Sequence, residues 1–466
     1  MSKAGGGPFL QRLSHLVPGD AMRISRHARR AYGAGYFGHN DAEKPLAIVL
    51  PENTEQVQAV IRHCKDHGVP VIPRGAGTNL VGAAIPVHES VMIATTRMKR
   101  VLEFDPVAGA IRVEAGVTNL AVSAYVRSAG WRYAPDPSSR RTCTIGGNIA
   151  TNSSGASCLK YGMTANNVAG LTVVLPDGER VETGNGGYEV TGADIAGILC
   201  GSEGQMGLVT EALLRLVPRA RQVCSIMLSY ADPRDGLSAA SDILRLGIVP
   251  ARFDYVDAAT IRLCENYVPS GYPANARAIL LLDIEGLPLE LVDLQGQICE
   301  AAGSFCEMHV EREHEARAEL WAGRMKIYGA AAARGRHVAL DGAVPLSKFP
   351  DILETIDRET ANRSMTAATA LPIGDGTVHA FLFENSDHPE SSAITDQCAT
   401  AIRLACIELG GSLSSEYGIG IRTQDLLTHQ YSRVDLAVQQ RCIDAVQAGA
   451  LFNPGKVFPS LSGAAE

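Results

Sequence analysis

The sequence predicts an α+β protein in which a two-lobed α/β domain precedes a second domain built on an antiparallel sheet. Three observations lead to this fold class. The chain has 466 residues, which is too long for one ordinary core. Strand and helix patterns alternate in residues 46–115, and after Pro218 long strands are separated by helical stretches. We therefore expect domains at 1–218 and 219–430, with residues 431–466 returning to the first domain.

The first lobe is predicted from its periodicity and its helix caps. The segment "LAIVLP" has the pattern of a strand, and "NTEQVQAVIRHCKDHG" has that of a helix, with Asn53 or Thr54 as its cap and Gly68 as its stop. The segments "VPVIPRG" and "VMIATT" are two more predicted strands. Residues 101–116 are predicted to form two strands around a turn.

The second lobe contains a long segment of small polar residues. Thr118 is predicted to cap a helix that runs to Ala129. Residues 135–162 are rich in Gly, Ser, Thr and Asn, which predicts loops. The segment "VAGLTVVLPDGERVE" predicts a hairpin on its Pro-Asp-Gly turn, and "GLVTEALLRLVP" predicts a strand that ends near Pro218.

The second domain is predicted to be an antiparallel sheet with helices on one face. The segments "QVCSIMLSY", "ARFDYVD" and "RAILLLDIEG" have strand patterns. Helical stretches separate and follow these strands, and they are predicted at 232–246, 287–301, 347–362, 389–409 and 434–449.

Composition and charge exclude several classes of protein. Hydrophobic residues make up 46% and charged residues 20%, as in a globular protein. The net charge of -8 argues against a nucleic acid partner. No apolar run has the length of a membrane span, and the N-terminus lacks the apolar core of a signal peptide. We expect a cytoplasmic protein that could still be peripheral to a membrane through a partner.

The cysteines argue against a built-in electron-transfer centre. There are eleven, and none forms a C-x-x-C pair, so neither a disulfide framework nor an iron–sulfur or zinc site is expected. Most should be buried, reduced thiols. If the protein carries out redox chemistry, its electrons must therefore leave to another molecule.

Three glycine-rich loops point to one long, polar ligand. They are "PRGAGTNLVG" at 73–82, "TIGGNIATNSSG" at 144–155 and "GSEGQMGLV" at 201–209, and each lies next to a predicted strand. Glycine lets the backbone approach a ligand, and successive N–H groups can surround a pyrophosphate. The spacing matches neither a Rossmann nor a Walker loop. One loop alone could be an ordinary turn. Three such loops in one region indicate a long ligand with several polar groups, such as a dinucleotide.

These loops resemble the PCMH-type FAD-binding domain of the vanillyl-alcohol oxidase and p-cresol methylhydroxylase superfamily. The branch that is most similar contains the D-type flavin subunit of glycolate oxidase and the D-lactate and D-2-hydroxyglutarate dehydrogenases. The similarity runs from about residue 40 to 460 and includes "VVLPDGE" and the closing "NPGKVF". It implies an FAD-binding fold with an α/β cap domain that binds substrate.

The resemblance also implies which residues hold FAD. Those near the pyrophosphate would be Pro73, Arg74, Gly75, Ala76, Gly77, Thr78, Asn79 and Gly82. The rest of the cofactor would be lined by Pro137, Ser138, Thr144, Gly146, Gly147, Asn148, Thr151, Asn152, Gly155 and Gly162. Glu203 and Val209 would lie near the adenosine, and Asn453 near the flavin ring. The phosphate loop has no His or Cys, so FAD is expected to bind non-covalently, with Cys143 and Cys158 as the remaining attachment points.

In the resembled branch the substrate is a 2-hydroxy acid, whose carboxylate suits the planar fork of an arginine. The segment "ELWAGRMKIYGAAAARGRHVALDGAVP" resembles the one that supplies this arginine, and Arg324 is the match. Lys326, Tyr328 and Arg336 are the alternatives. A surface arginine without a catalytic role is the other interpretation of Arg324.

The branch also has the pattern H-x-G-D-G-N-x-H followed by E-H-G-I-G, whose two histidines and glutamate bind a divalent metal. In this chain the segments read "LPIGDGTVHAF" and "SEYGIG", so Pro372 and Thr377 replace two of the expected residues. His379 and Glu416 remain, and two protein ligands are too few for a tightly bound metal. We therefore expect no metal.

Tyr417 stands where the branch has its catalytic base, and two interpretations stay open. Tyr417 could act as base or hydrogen-bond the substrate oxygen, or it could fill the volume of the lost imidazole. A phenol has a reference pKa of about 10, so as a base it would need a nearby cation. His379 is likewise either the surviving base or the remnant of a metal site.

The sequence thus predicts an FAD-dependent dehydrogenase of a small D-2-hydroxy acid that passes electrons to an acceptor other than NAD. That acceptor could be a quinone, a cytochrome, an electron-transfer flavoprotein or an iron–sulfur subunit. The alternatives are an oxidase or dehydrogenase of phenolic or benzylic alcohols and a flavin-bearing partner subunit with weak activity. A homodimer is left open.

Overall fold

The computed structural model describes residues 6–35, 45–184, 191–385, 390–447 and 450–459. Within these ranges the chain divides into two compact units. Unit 1 contains 1–153, 163–219 and 416–466, and unit 2 contains 154–162 and 220–415. From the sequence, domain boundaries are expected near 218 and after 430. In the structure the main part of unit 2 begins at Ala220, and the chain returns to unit 1 at Glu416.

The strands are numbered in chain order. Those of unit 1 are β1 (Met22–Arg23), β2 (Ala47–Val49), β3 (Val71–Arg74), β4 (Val91–Ala94), β5 (Val101–Asp105), β6 (Ala110–Glu114), β7 (Trp131–Arg132), β8 (Val168–Val174), β9 (Arg180–Thr183), β10 (Leu208–Arg215) and β11 (Val217–Pro218). Those of unit 2 are β12 (Gln222–Tyr230), β13 (Arg252–Asp257), β14 (Ala278–Gly286), β15 (Glu307–Glu311), β16 (His337–Ala339), β17 (Gly342–Ala343), β18 (Thr366–Pro372) and β19 (Thr377–Phe383).

The helices are numbered in the same way. The first seven are α1 (Gly6–Ser14), α2 (Arg26–Gly33), α3 (Thr54–Asp66), α4 (Asn119–Val126), α5 (Ile145–Thr151), α6 (Cys158–Tyr161) and α7 (Ile195–Leu199). The others are α8 (Pro233–Arg245), α9 (Ala258–Tyr267), α10 (Pro288–Ala301), α11 (His314–Leu320), α12 (Ala322–Met325), α13 (Ile327–Arg334), α14 (Phe349–Ala361), α15 (Ser391–Glu408), α16 (Leu427–Gln430) and α17 (Arg433–Asp444).

Unit 1 is organised around two larger sheets. The first has the order β1-β2-β4-β3, with parallel pairing of β2 and β3 to β4. The second is antiparallel, in the order β5-β6-β10-β8-β9. Asn53 caps α3 by accepting a hydrogen bond from the Gln56 N–H, as predicted. Near the C-terminus, Phe452 is fully buried and bridges to Val71, so this segment lies beside β3.

Unit 2 contains an antiparallel sheet in the order β15-β12-β14-β13-β18-β19-β16, with β17 paired to β19. One face packs against α8, α10, α14 and α15 through residues such as Leu280, Ile352 and Ile402. The prediction of helices on one face alone is wrong, because α9 packs on β13 and β18 and α13 packs on α9. Burial on both faces explains the nearly continuous apolar run of β14.

Three further predictions can be compared with the structure. All eleven cysteines lie in the described ranges and are free, and six of them are buried. Among the described residues, no helix is long and apolar enough to cross a membrane. Residues 389, 448 and 449, at the ends of two predicted helices, lie outside the described residues.

Candidate functional site

The phosphate loop of unit 1 begins where β3 ends. Pro73 and Arg74 are the last residues of that strand, and Gly75–Gly82 follow as a loop. A Cβ placed on Gly75 would overlap Thr144 Oγ1 and lie 3.4 Å from the Gly147 Cα. The structure therefore brings the first two glycine-rich loops into direct contact, and only a glycine fits at that position.

The second loop forms α5 and its caps. Thr144 is the N-cap and accepts a hydrogen bond from the Gly147 N–H at 3.2 Å, and Asn152 ends the helix with a φ of 47°. Of the predicted cofactor residues, Gly146, Asn148 and Thr151 lie in α5, whereas Pro137 and Ser138 lie in the loop before it. Gly155 and Gly162 belong to the segment 154–162 of unit 2.

The third loop reaches the same region. A Cβ on Gly204 would lie 3.2 Å from Pro73 and 3.4 Å from Asn453 Nδ2. Asn453 donates from that nitrogen to the Glu203 carbonyl oxygen at 2.7 Å. Val209 lies further on, in β10, where it pairs with Val173. Pro73, Glu203 and Asn453 are therefore neighbours, although the chain separates them widely.

Arg74 supplies a cation that suits an anionic ligand. Its guanidinium lies 5.5 Å from the ring centroid of Tyr32 and folds over Gly77. Burial lowers the pKa of Arg74, because the charged form loses its hydration. Among the residues that the structure describes, no carboxylate forms an ion pair with Arg74. A desolvated cation on a glycine-rich loop fits a pyrophosphate, so these residues fit FAD.

The side chain of Asn79, a residue predicted to lie near the pyrophosphate, makes three hydrogen bonds within the protein. Its Oδ1 accepts the N–H groups of Val81 and Ala83 at 3.0 Å and 3.1 Å. Its Nδ2 donates to the carbonyl oxygen of Tyr417 at 2.7 Å. The side-chain amide of Asn79 therefore connects the phosphate loop to the segment that carries Tyr417.

Lys456 is a buried residue of this region that the sequence analysis did not single out. Its Nζ donates to the Ala83 carbonyl oxygen at 2.6 Å and to Asn453 Oδ1 at 3.0 Å. Burial lowers its pKa from 10.5 to about 7, and the charge of Glu203 opposes this shift. The sequence contains a signal for this lysine. In "NPGKVF" a charged residue stands inside a segment that is predicted to return to the first domain, and lysine is seldom buried without a partner.

We expect Lys456 to make stability depend on pH. Because its pKa is lowered to about 7 in the folded protein, the unfolded chain binds more protons between pH 7 and 10.5. Stability should therefore rise with pH across that window, by up to about 1.4 kcal/mol per pH unit. The measurement is the free energy of unfolding in urea at several pH values from about 8 to 9.5.

Lys456→Met should remove this slope, whereas Lys348→Met, which changes a lysine with a side chain 44% exposed, should keep it. An equal slope in all three proteins would contradict the assignment of the pH dependence to Lys456.

A polar cluster occupies the second face of the sheet in unit 2. Arg324, on α12, is 6% exposed, and its Nε lies 2.5 Å from Asp254 Oδ2 on β13. The Nε–H is not directed at the carboxylate, and among the described residues no other group donates to either Asp254 oxygen. Burial raises the pKa of Asp254, and the charge of Arg324 opposes the rise. Asp254 is thus a buried acid that is stabilised by the charge of Arg324 without a hydrogen bond from the described part of the chain.

Asp283 is a second buried acid on this face, and unlike Asp254 it has hydrogen-bond donors among the described residues. It accepts hydrogen bonds from Ser225 Oγ at 2.5 Å and from Trp321 Nε1 at 2.8 Å. Its other oxygen lies 3.8 Å from the guanidinium of Arg252. Asp283 therefore anchors the residues before α12, whereas the position of Asp254 is unexplained by packing alone.

Asp254 lies beside the position where the family pattern would place its first histidine. Asp254 pairs directly with Pro372, and Ala370 pairs with His379. Paired residues of antiparallel strands share a face of the sheet, so Asp254, Pro372 and His379 lie on the same face. Asp254 is not among the residues predicted from the sequence, although an acid inside the apolar strand "ARFDYVD" indicates that a partner must exist.

The remaining predicted substrate residues have different surroundings. His379 is 6% exposed, and its ring centroid lies 6.1 Å from that of Tyr328 on α13. Arg336 pairs with Glu384 and its side chain is 82% exposed, which makes it a surface residue. Tyr417 is 8% exposed in unit 1, and Glu416 before it is half-buried.

The residues do not fit the metal of the family pattern. Pro372 has no ligand atom, and Thr377 uses its hydroxyl to contact Asp375 and Ser415, each at 2.5 Å. In the described ranges, no group of three or more His, Cys, Asp or Glu side chains is arranged to hold a metal ion.

Covalent attachment of flavin is expected to need a reactive side chain. Burial raises the pKa of the Cys143 thiol, which disfavours the reactive thiolate. Cys158 is half-buried in α6, in unit 2. Non-covalent binding remains the expectation.

Comparisons with known proteins cover most of the chain. A family model described as an FAD binding domain matches residues 45–184, and one described as the C-terminal domain of FAD linked oxidases matches 219–457. The glycolate oxidase subunit GlcD of Escherichia coli (strain K12) is 33% identical over 430 residues, covering 91% of this chain and 85% of that protein. The D-2-hydroxyglutarate dehydrogenase of Stutzerimonas stutzeri (strain A1501) is 26% identical, covering 97% and 98%.

A solved structure gives the same fold. The crystal structure of p-cresol methylhydroxylase with substrate bound matches with a TM-score of 0.81 at 17% identity, over 98% of each chain. That likeness concerns the fold alone. Together the comparisons confirm the predicted fold class, the family resemblance and FAD as the cofactor.

Proposed function

Since the chain belongs to the family of FAD linked oxidases, we propose that it is a dehydrogenase that oxidises a small D-2-hydroxy acid to the 2-oxo acid. The substrate class is that of D-lactate, glycolate or 2-hydroxyglutarate. Relatives named for glycolate and for D-2-hydroxyglutarate support this class. The electrons would pass to an acceptor other than NAD, such as a quinone, a cytochrome, an electron-transfer flavoprotein or an iron–sulfur subunit.

The observation that carries this proposal is the buried guanidinium of Arg324. A guanidinium has five N–H donors and can pair along more than one edge. Asp254 lies against Nε, so the edge formed by the two terminal nitrogens remains suited to a substrate carboxylate. A buried arginine on a sheet face that also carries His379 has the chemistry that a 2-hydroxy acid requires.

The proposed reaction separates a proton from a hydride. When bound, FAD would accept two electrons from the substrate, together with its C2 hydrogen, as a hydride. Arg324 would hold the carboxylate and thereby orient the C2–H bond. His379 would accept the hydroxyl proton on a ring nitrogen. Tyr417 would donate a hydrogen bond to the substrate oxygen.

We expect Tyr417→Phe to slow flavin reduction at least about tenfold, which is ~1.4 kcal/mol of barrier. The hydroxyl oxygen is the only non-hydrogen atom that this change removes, so the packing of the ring is kept. The measurement is the rate constant of anaerobic flavin reduction at saturating hydroxy acid. Tyr431→Phe, a change of a half-buried tyrosine in the same unit, is the control. An unchanged rate would leave Tyr417 with a packing role.

A second candidate function follows from the same ion pair. Because Asp254 already compensates Arg324, this face could instead receive an uncharged substrate such as a phenolic or benzylic alcohol. Tyr417 would then bind the phenol oxygen.

An anaerobic titration of the flavin absorbance distinguishes the candidates. The purified protein would be mixed with D- and L-lactate, glycolate, D-2-hydroxyglutarate, D-mandelate and 4-hydroxybenzyl alcohol, each with and without zinc or manganese. Bleaching by a D-2-hydroxy acid without metal would support the proposal, and bleaching by the benzylic alcohol alone would support the second candidate. Bound flavin that no compound bleaches would indicate a partner subunit instead.

A further inference from the structure

We infer that Glu203 is a positioning residue for Tyr417, because its buried carboxylate holds the turn that carries this tyrosine. The inference rests on the proposed function for the role of Tyr417 in the reaction. The family resemblance placed Glu203 beside the adenosine of FAD. Its side chain, however, contacts the turn that follows Tyr417.

The carboxylate of Glu203 binds two successive backbone N–H groups of the turn. Its Oε1 accepts from Ile419 at 2.7 Å and its Oε2 accepts from Gly420 at 2.9 Å. The side chain is 6% exposed, so these charge-assisted bonds form in a region of low dielectric constant. Both oxygens are therefore committed to the turn that follows Tyr417.

Two glycines let the turn pack closely against its neighbours. Gly418 and Gly420 have φ values of 81° and 56°, in the region that favours glycine. A Cβ on Gly418 would lie 2.5 Å from Glu203 Oε1, and a Cβ on Gly420 would overlap the Val81 carbonyl oxygen. The carboxylate thus lies directly against the backbone that sets the direction of Tyr417.

The phosphate loop holds the same turn from its other side. Asn79 donates to the Tyr417 carbonyl oxygen at 2.7 Å, and the Ile421 N–H donates to the Val81 carbonyl oxygen at 3.0 Å. Backbone groups on both sides of the Tyr417–Ile419 segment are therefore fixed by hydrogen bonds. Glu203 contributes the charged partner to this set.

Glu203 is itself held firmly enough to act as an anchor. Its N–H donates to the Ala150 carbonyl oxygen at 2.7 Å, and its own carbonyl oxygen accepts from Asn453 at 2.7 Å. It also has a φ of 49°, which is uncommon for a residue other than glycine. Uncommon backbone of this kind persists where the surroundings require it, and in Glu203 it directs the carboxylate at the turn.

The test is Glu203→Gln in the FAD-bound protein. An amide has one oxygen and one NH2 group, so a glutamine in the same orientation places a donor against one of the two N–H groups that now bind Oε1 and Oε2. We expect FAD content to be retained, and amide exchange of residues 416–421 to increase about tenfold or more, which is ~1.4 kcal/mol. We expect the rate constant of flavin reduction by the hydroxy acid to fall by a similar factor. Glu203→Asp, which keeps the charge but shortens the side chain, should give intermediate values.

Glu114→Gln is the matched control. Glu114 is also a buried carboxylate of unit 1 that accepts a backbone N–H, that of Arg100 at 2.7 Å. This variant should lose stability in the same manner. Exchange of 416–421 and the reduction rate should remain at the wild-type values.

A double-mutant cycle with Tyr417→Phe separates positioning from general damage. If Glu203 acts through Tyr417, Glu203→Gln should slow reduction no further when Tyr417 is already phenylalanine. Losses that multiply would overturn the inference, and so would unchanged exchange of 416–421. Faster exchange with an unchanged reduction rate would also overturn it, since Glu203 would then have a purely structural role.

Failure of the proposed function gives a different result. If no hydroxy acid reduces the flavin of the wild-type protein, the cycle is carried out with whichever alcohol does. If none does, the exchange measurement still decides whether Glu203 holds the turn, because it requires no substrate.

Discussion

Arg324→Ala is expected to abolish flavin reduction by the hydroxy acid while FAD stays bound. The guanidinium is the proposed carboxylate ligand, and truncation removes all of its donors. The same change leaves Asp254 buried without its cation, at a cost of about 3–5 kcal/mol for a broken buried pair. Activity and stability should therefore fall together. The measurements are anaerobic stopped-flow reduction and the urea midpoint of unfolding.

The double variant Asp254→Asn/Arg324→Gln separates these two effects. It is electrically neutral and keeps polar side chains at both positions, so stability should recover toward the wild-type value. Reduction by the hydroxy acid should stay absent, because no cation remains to bind the carboxylate. If this variant, or Arg324→Ala, turns over normally, the carboxylate assignment is wrong. Reduction that is lost with hydroxy acids yet kept with a benzylic alcohol would indicate the uncharged substrate class.

Gly75→Val is expected to yield protein without flavin. Even a Cβ at this position overlaps Thr144 Oγ1, and the branched side chain of valine needs still more room. The phosphate loop and the start of α5 would have to separate, which would disrupt the proposed cradle for the pyrophosphate. The flavin-to-protein absorbance ratio of the purified protein measures the loss.

Two variants identify the cause of such a loss. Gly19→Ala, at a position in unit 1 where a Cβ meets no atom within 4 Å, should retain FAD fully. Arg74→Met introduces no overlap but removes the cation, and it should weaken FAD binding about 10- to 100-fold, as expected for a lost charge-assisted hydrogen bond. Full flavin occupancy in both Gly75→Val and Arg74→Met would show that FAD binds elsewhere.

Local features of the fold could be predicted from the sequence, because neighbouring residues decide them. The helix that follows Asn53 begins at Thr54 and ends at Asp66, close to the predicted stop at Gly68. The hairpin on the Pro-Asp-Gly turn pairs Val174 with Arg180. Caps, turns and alternating patterns act over a few residues, and their physical rules apply without knowledge of the rest of the chain.

The candidate site could be predicted as a set of loops but not as a set of contacts. Glycine spacing and family resemblance identified the phosphate loop, α5 and Arg324. Neither could show that the side-chain amide of Asn79 serves Tyr417, since 338 residues separate the two. Nor could either show that Asp254 faces Arg324, because the direction of a side chain from a strand buried on both faces depends on the register.

The amino-acid sequence by itself determined the family and the FAD cofactor, because the glycine-rich motifs that carry the resemblance are local in the chain. It also determined that Pro372, where the family pattern has a histidine, offers no side-chain atom that could bind a metal. The tertiary structure alone decided how the charged groups are partnered. Glu203 binds N–H groups more than 200 residues away along the chain, at a separation of 217 for Gly420. Buried charges must find partners, and only the folded chain brings those partners within hydrogen-bonding distance.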